Sequence, residues 1–352
     1  MVHAGLDLSR KRLDVQLLSE DGTRLRHTGV PPDRGGLDTL VSWVQEWYGQ
    51  PVRGVIESMT GARFIHDQLE QLGWQVAIAD AQKVKGLAPL ACKTDKIDAW
   101  VLAELSRRDL VPAVWLPGPA VQAERERARW RLFLVRHRTS LKNRIHQTLI
   151  TFGYQTPMSD LFGVTGRQLL ARLELPEPWL SDVTASLQLI DDLTRQVHDC
   201  ERALRQLGAD HAYVPLLRTV PGMGWVLAYT IAAEIGDITR FASPTKLCGY
   251  TGLQPIVRQS GSRDFRGPLA KNGPRYLRWA LIEAAHTAAR HPVYSSRYAR
   301  TKKRLGKQRG SKIAAVELAR TLTEAIWYML TRHQPFAPAG ATFCLAAKTA
   351  LA

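Results

Sequence analysis

The sequence predicts an α/β N-terminal part, a long helical arm, and a mostly α C-terminal part that carries a helix-hairpin-helix. Three observations predict it. Short apolar strands alternate with amphipathic helices through the first 110 residues. A run free of Gly and Pro from about 120 to 152 reads as one long helix. From 212 onward, helical segments are broken by glycine-bearing loops.

VHAGLDLS and RLDVQLLS bracket a tight turn, and TRLRHTGV is a third strand after the turn at Asp21-Gly22. Leu37, Leu40, Val41, Val44 and Trp47 recur at helical spacing in a segment led by Asp33. RGVIES is a short strand ending near Glu57. TGARFIHDQLEQLG is a helix with Thr60 as N-cap and Gly73 as its stop. QVAIADA is another strand, and DKIDAWVLAELSRRDL a helix. A meander followed by strand–helix–strand–helix gives a mixed, mostly covered sheet. Pro112, Pro117 and Pro119 mark a boundary. Two long helices, about 120–152 and 178–207, then form an antiparallel arm, either dimerising or folded as a hairpin within one chain. Beyond LLRTVPGMGWVLAYTIAAEIG comes a loop holding SGSRDFRGPLAKNG, then helices near 274–290, 292–305 and 310–332. The expected domains are 1–112, 118–210 and 211–335, with a flexible tail at 336–352.

Composition bounds the partners. With 48 Lys+Arg against 32 Asp+Glu the formal charge is +16, which points to a polyanion. The charge is unevenly spread: residues 1–110 are net −1, whereas 211–352 are net +15. A near-neutral module is thus joined to a basic one. The N-terminus lacks a signal-peptide pattern, and no apolar run approaches the ~20 residues of a spanning helix, so a cytoplasmic, nucleoid-associated protein without a membrane partner is expected. Cys92, Cys200, Cys248 and Cys344 are too far apart for a zinc signature and read as structural thiols.

Four carboxylates stand where chemistry can use them. Asp7 interrupts an apolar strand, Glu57 ends another, and Asp95 and Asp98 lie on one helix face. Clustered like charges repel, and a hard divalent cation such as Mg²⁺ resolves the repulsion while serving phosphoryl chemistry. Strand end and helix cap are the plainer reading of each residue alone; their joint order favours a metal-dependent nuclease core. GLDLSRKRLDVQLL also resembles the first phosphate loop of actin-like ATPases, yet the second phosphate loop and the adenosine loop of that fold are missing.

The C-terminal part reads as a nucleic-acid grip. Gly222 and Gly224 permit the tight turn of the hairpin, leaving free N–H groups at the next helix start for a phosphate. Residues 256–312 hold 15 basic and 2 acidic residues, too dense for an ordinary solvated face. Arg258, Arg263, Arg266, Lys271, Arg275 and Arg278 crowd one loop, interleaved with Phe265, Tyr276, Tyr294 and Tyr298. Ser260 and Ser262 lie within it; from chemistry alone either is one loop serine among many.

GLDLSRKRLDV, GVIESMTG, KTDKIDAWVLAEL, VPGMGWVLAYTIAAEIGDITRF, LCGYTGLQP, QSGSRDFRG and LAKNGPRYLR together resemble the DEDD-type insertion-sequence transposases. This is the insertion-sequence 110 family, related to the Piv DNA invertases. The matching motifs run from about residue 3 to 335, except in the arm. The resemblance implies that 1–112 is a RuvC-like, ribonuclease-H-type catalytic domain with Asp7, Glu57, Asp95 and Asp98 as a DEDD Mg²⁺ site. It implies that 211–335 is a transposase domain whose Ser260 is a catalytic nucleophile linking covalently to DNA, with Ser262 as the neighbouring alternative. It also implies a homo-oligomer, dimer or tetramer, assembled by the arm and with active sites shared between protomers. The partners it implies are double-stranded DNA of element ends and target, and a bridge RNA that guides the enzyme. Two other readings stay open: a RuvC-like junction nuclease using metal-activated water, and a non-catalytic nucleic-acid-binding protein.

Overall fold

The computed structural model describes residues 1–87, 95–261 and 263–337, with the backbone alone at Asp95, Lys96, Arg266 and Lys307. Most of the segment expected as a tail, and Ser262, lie outside the described residues. The chain divides into two units, Met1–Leu116 and Pro117–Ala352.

The first unit opens with β1 (Val2–Leu8), β2 (Leu13–Leu18) and β3 (Arg24–Val30), then runs through α1 (Arg34–Tyr48), β4 (Val52–Glu57), α2 (Ala62–Gln71), β5 (Gln75–Ala79), α3 (Ala81–Leu87) and α4 (Asp95–Arg107). Its five strands lie in the order β3-β2-β1-β4-β5, an antiparallel meander continued by two strands parallel to β1. Both faces are covered, which is why β1 and β2 are buried at nearly every position. On one face Ala4, Leu6, Val15 and Ile56 pack with Leu37, Leu40 and Val44 of α1 and Ile65 and Leu69 of α2. On the other, Val55 and Ala79 pack with Val84 of α3 and Val101, Leu102 and Leu105 of α4.

In the first unit α1 is capped as its sequence predicts and α2 is not. Asp33 accepts a 2.8 Å hydrogen bond from the Gly36 amide and opens α1, as its sequence position predicts. Thr60 does not cap α2. Gly61 occupies that position at φ 93°, a left-handed conformation that a threonine would strain, and no side chain bonds the helix start.

The second unit consists of α5 (Pro119–Thr151), α6 (Val164–Leu170), α7 (Trp179–Ala209), α8 (Val214–Leu217), α9 (Trp225–Ile235), α10 (Pro244–Thr251), β6 (Pro255–Ser260), β7 (Arg263–Leu269), α11 (Arg275–Ala288) and α12 (Pro292–Arg332). Pairs between α5 and α7 run in opposite senses along the two helices: Arg131 with Glu201, Arg138 with Thr194, Arg144 with Asp182. The arm is therefore a helical hairpin within one chain, closed at its tip by Ile145, Leu149, Leu161, Leu170 and Val183. Its base joins the C-terminal bundle through Ala128 and Leu204, which pack with α8, α9, α11 and α12. Gly306 at φ 78° breaks α12. The halves fold back on each other, since Arg297 and Thr301 both bond Glu317 and Tyr298 bonds Ser311. The first unit is thus a mixed α/β structure around a central sheet, and the second is mostly helical.

The segment expected as a loop around Ser260 is not one. It is a two-stranded antiparallel ribbon, β6 with β7, in which Ser260 faces Arg263 across the turn. Ile256, Val257 and Phe265 supply β-forming residues, and Gly261 at φ 57° makes the reversal.

Candidate active site and nucleic-acid interface

Two of the acidic candidates, Asp7 and Glu57, stand at the same end of adjacent strands. β1 and β4 run parallel, with Leu6 beside Ile56 as the last registered pair. Asp7 and Glu57 are the next residue on each strand, and both are half-buried. Alternation along a strand puts Asp7 on the face of Gly5, and Glu57 on the face of Val55. That is the face covered by α4: Val55 packs with Leu102 and Leu105.

Gly5 fixes how closely α4 lies. A Cβ there would fall 1.7 Å from the carbonyl oxygen of Ala99 and 2.5 Å from the Ala103 nitrogen. At the other end of the helix, Ser106 Oγ lies 3.0 Å from His3 Nδ1 and donates to the Arg53 carbonyl oxygen at 3.1 Å. Residue 106 meets position 3 and residues 99 and 103 meet position 5, so α4 runs antiparallel to β1. Its first turn, with Asp98, is therefore directed toward the strand end that carries Asp7. Asp95 begins the helix, and its side chain lies outside the described residues.

The donor set suits a hard cation in kind, being carboxylate oxygen throughout. Among the described residues, no three of His, Cys, Asp and Glu are gathered closely enough to hold a metal ion. A further carboxylate, Asp14, stands directly opposite Asp7 on β2. It is tied to Arg12 Nε at 2.9 Å and lies 3.7 Å from His27 Nε2. The strand–turn–strand pattern around Ser9–Arg12 carried this signal, because a tight hairpin opposes residues equidistant from its turn.

In the second unit Ser260 is exposed at the end of β6. Arg258 and Arg263 are exposed on the same ribbon, and the Arg266 side chain lies outside the described residues. Lys271 is exposed, with φ 54° in the left-handed region. Arg278 is engaged differently: its Nη1 donates to the carbonyl oxygens of Thr251 and Lys271, and burial lowers its pKa. It pins the turn that presents Lys271. Gly222 has φ 87°, and a Cβ there would fall 2.5 Å from the Ala284 carbonyl, so this turn packs tightly on α11. Gly224 is exposed at the start of α9, where no side chain caps the helix amides. The helix before this turn, α8, is a single turn.

Glu234 was not singled out by sequence. Fully buried on α9, it receives Arg129 Nε at 2.8 Å and Nη2 at 3.0 Å, with Arg125 Nε 3.9 Å away. Arg125 also donates to the carbonyl oxygens of Ala233 and Glu234. This charge-assisted knot joins the arm to the bundle. One signal was present: a glutamate inside the apolar run TIAAEIG, if buried, calls for a charged or hydrogen-bonding partner.

A family model described as "Transposase", the IS110 DEDD type, matches residues 4–153. A second, described as "Transposase IS116/IS110/IS902 family", matches residues 214–300. The transposase for insertion sequence element IS1328 of Yersinia enterocolitica is 29% identical over 286 residues, covering 80% of this chain and 84% of its own. The transposase for IS1111A of Coxiella burnetii is 25% identical, covering 80% of this chain and 78% of its own. The 44.8 kDa protein of insertion element IS116 of Streptomyces clavuligerus is 25% identical over 96% of both chains. Among the described residues, no helix is long and apolar enough to cross a membrane.

Proposed function

We propose that this chain, which belongs to the IS116/IS110/IS902 family of transposases, cuts and rejoins DNA with a DEDD carboxylate site and a serine nucleophile. Membership implies a transposase that binds DNA, and the DEDD type suggests a divalent metal. In this reading the first unit is a RuvC-like domain, and the turn at 221–224 belongs to a helix-hairpin-helix. Asp7, Glu57, Asp95 and Asp98 would hold the metal, taken here as Mg²⁺. When bound, such an ion supplies Lewis acidity toward a phosphoryl oxygen.

The observation that carries the reading is the antiparallel seating of α4 on β1, fixed by Gly5 and by Ser106 with His3. It directs the Asp-bearing turn of α4 toward the end of β1 and β4 where Asp7 and Glu57 stand. Carboxylates on a rigid sheet keep the fixed geometry that phosphoryl transfer requires.

Ser260 is the proposed nucleophile. Its oxygen attacks a DNA phosphorus, a phosphoserine ester forms, and the displaced deoxyribose oxygen leaves as a hydroxyl with the serine's proton. A hydroxyl of another DNA end reverses the exchange and frees the serine. One P–O bond replaces another at each step, so rejoining needs no external energy source. Arg258, Arg263, Arg266, Lys271 and Arg275, with the amides after Gly222 and Gly224, would neutralise and position the DNA backbone. The same reading includes a homo-oligomer and a guiding bridge RNA, checked by solution mass and by RNA that copurifies with the protein.

The test is a denaturing gel of the full chain incubated with Mg²⁺ and labelled element-end DNA. Wild type should form a covalent adduct, and Ser260→Ala should lose both adduct and recombination. An adduct that persists in Ser260→Ala but disappears in S262A would move the role to Ser262. Strand cleavage retained in Ser260→Ala without any adduct would favour the water-using nuclease instead.

A further inference from the structure

Within the second unit three guanidiniums surround the ring of Tyr276. Arg275 Cζ lies 4.8 Å from its centroid, Arg129 Cζ 4.9 Å and Arg136 Cζ 5.6 Å. Arg275 Nη2 also donates to the Tyr276 hydroxyl at 2.8 Å. Arg129 and Arg136 come from the arm helix α5, and Arg275 and Tyr276 from the start of α11.

Their charges are not balanced alike. Arg129 is neutralised by its two-pronged contact with Glu234. Arg136 and Arg275 are exposed, and among the described residues neither meets a carboxylate. Distances of this size from one centroid put the two cations within about one Debye length of each other, where their repulsion is not fully screened. Cation–π attraction to the ring offsets part of that cost, but an exposed contact is weak. Two guanidiniums without a carboxylate, held over one aromatic ring beside a third already satisfied, suit a single tetrahedral oxyanion.

We propose that Arg136 and Arg275, positioned by Tyr276, together grip one phosphodiester of duplex DNA, so that the arm itself is part of the DNA-binding surface. This rests on the reading of the second unit as a DNA grip. It adds an arm residue that sequence did not single out, and it makes Arg275 half of a shared site.

The experiment measures binding of the full-length protein to a 30-base-pair duplex by fluorescence anisotropy across 50–300 mM NaCl, with a structured RNA of equal length as a second arm. A phosphate contact contributes about 0.9 to the salt slope of log affinity. Because either arginine can hold the shared phosphate alone, Arg136→Gln and Arg275→Gln should each weaken DNA binding a few-fold and leave the slope nearly intact. The double variant should weaken it about tenfold and lower the slope by about 1. Lost packing would change affinity without changing the slope, which separates the proposal from a structural role. An unchanged slope in the double variant overturns it. So does a loss of about 1 in each single variant and about 2 in the double, which would mean two separate contacts. Effects confined to the RNA arm overturn the assignment to DNA. If wild type binds duplex DNA without salt dependence, the grip reading of the whole second unit fails too.

Discussion

The end of the central sheet and the surface around Ser260 handle charge in opposite ways. In the first unit, Asp7 and Glu57 close two central parallel strands, and a helix is pressed so tightly against the sheet that only glycine fits at position 5. In the second, Arg258, Arg263 and Lys271 project from a two-stranded ribbon and an exposed turn, open to solvent. On the proposed function, the contrast matches what each job demands. Carboxylates that must converge on one reacting phosphate need a rigid support. Cations that neutralise a backbone act over several ångströms and tolerate a surface position. Glu234, fully buried in the second unit, is paired with Arg129 and lies close to Arg125, which joins arm to bundle.

Rigid substitutions break this contrast most strongly. Gly5→Ala puts a methyl group into the backbone of α4 and should destabilise the first unit by about 3 kcal/mol. Hydrogen exchange should show opening concentrated in α4, and strand cleavage should fall with it. Arg129→Ala should destabilise the second unit by about 2 kcal/mol. That is less than for a fully orphaned buried acid, because Arg125 remains 3.9 Å from Glu234. Chemical denaturation followed by arm-specific hydrogen exchange reads this effect.

The smallest expected effect is electrostatic. Hydrogen bonds from Arg107, and then from Arg108, hold the Glu104 carboxyl down at about 2 despite some opposing burial. A depressed carboxylate pKa stabilises the fold above its unfolded value near 4.5, and this contribution is lost as pH falls toward 2. Glu104→Gln should therefore cost about 1 kcal/mol at neutral pH, as for a partly buried pair still screened by solvent. The difference from wild type should vanish on acidification across that window, as followed by thermal melts at stepped pH.

Legibility in the sequence followed the strength of local signals. The meander and α1 were readable because alternation, the Asp21-Gly22 turn and the Asp33 cap act within a few residues. The β6–β7 ribbon was not, because exposed strands rich in Arg, Ser and Gly have no apolar face to reveal their period. α3 and α6 are 7 residues each, too short to show a helical repeat. α10 has a local start signal in Ser243 as N-cap followed by Pro244. Among the acidic candidates, Asp7 and Glu57 stood out as acids in apolar strands, and Asp95 and Asp98 as a pair three apart on one helix face. The closeness of α4 to Gly5 did not, since it depends on contacts between residues about 94 positions apart. Glu234, if buried, could be recognised as needing a partner, but nothing local names Arg125 and Arg129 on a helix more than a hundred residues earlier.

The central claim is that the acids of the first unit carry out the chemistry and the cations of the second hold the DNA. Asp7→Asn, which keeps side-chain size and removes the charge, tests it when cleavage and equilibrium DNA binding are measured on the same preparation. The account predicts that cleavage with Mg²⁺ falls at least about a thousandfold while affinity for duplex DNA stays within about twofold. Cleavage retained near the wild-type rate would contradict it, and so would loss of cleavage in step with loss of binding.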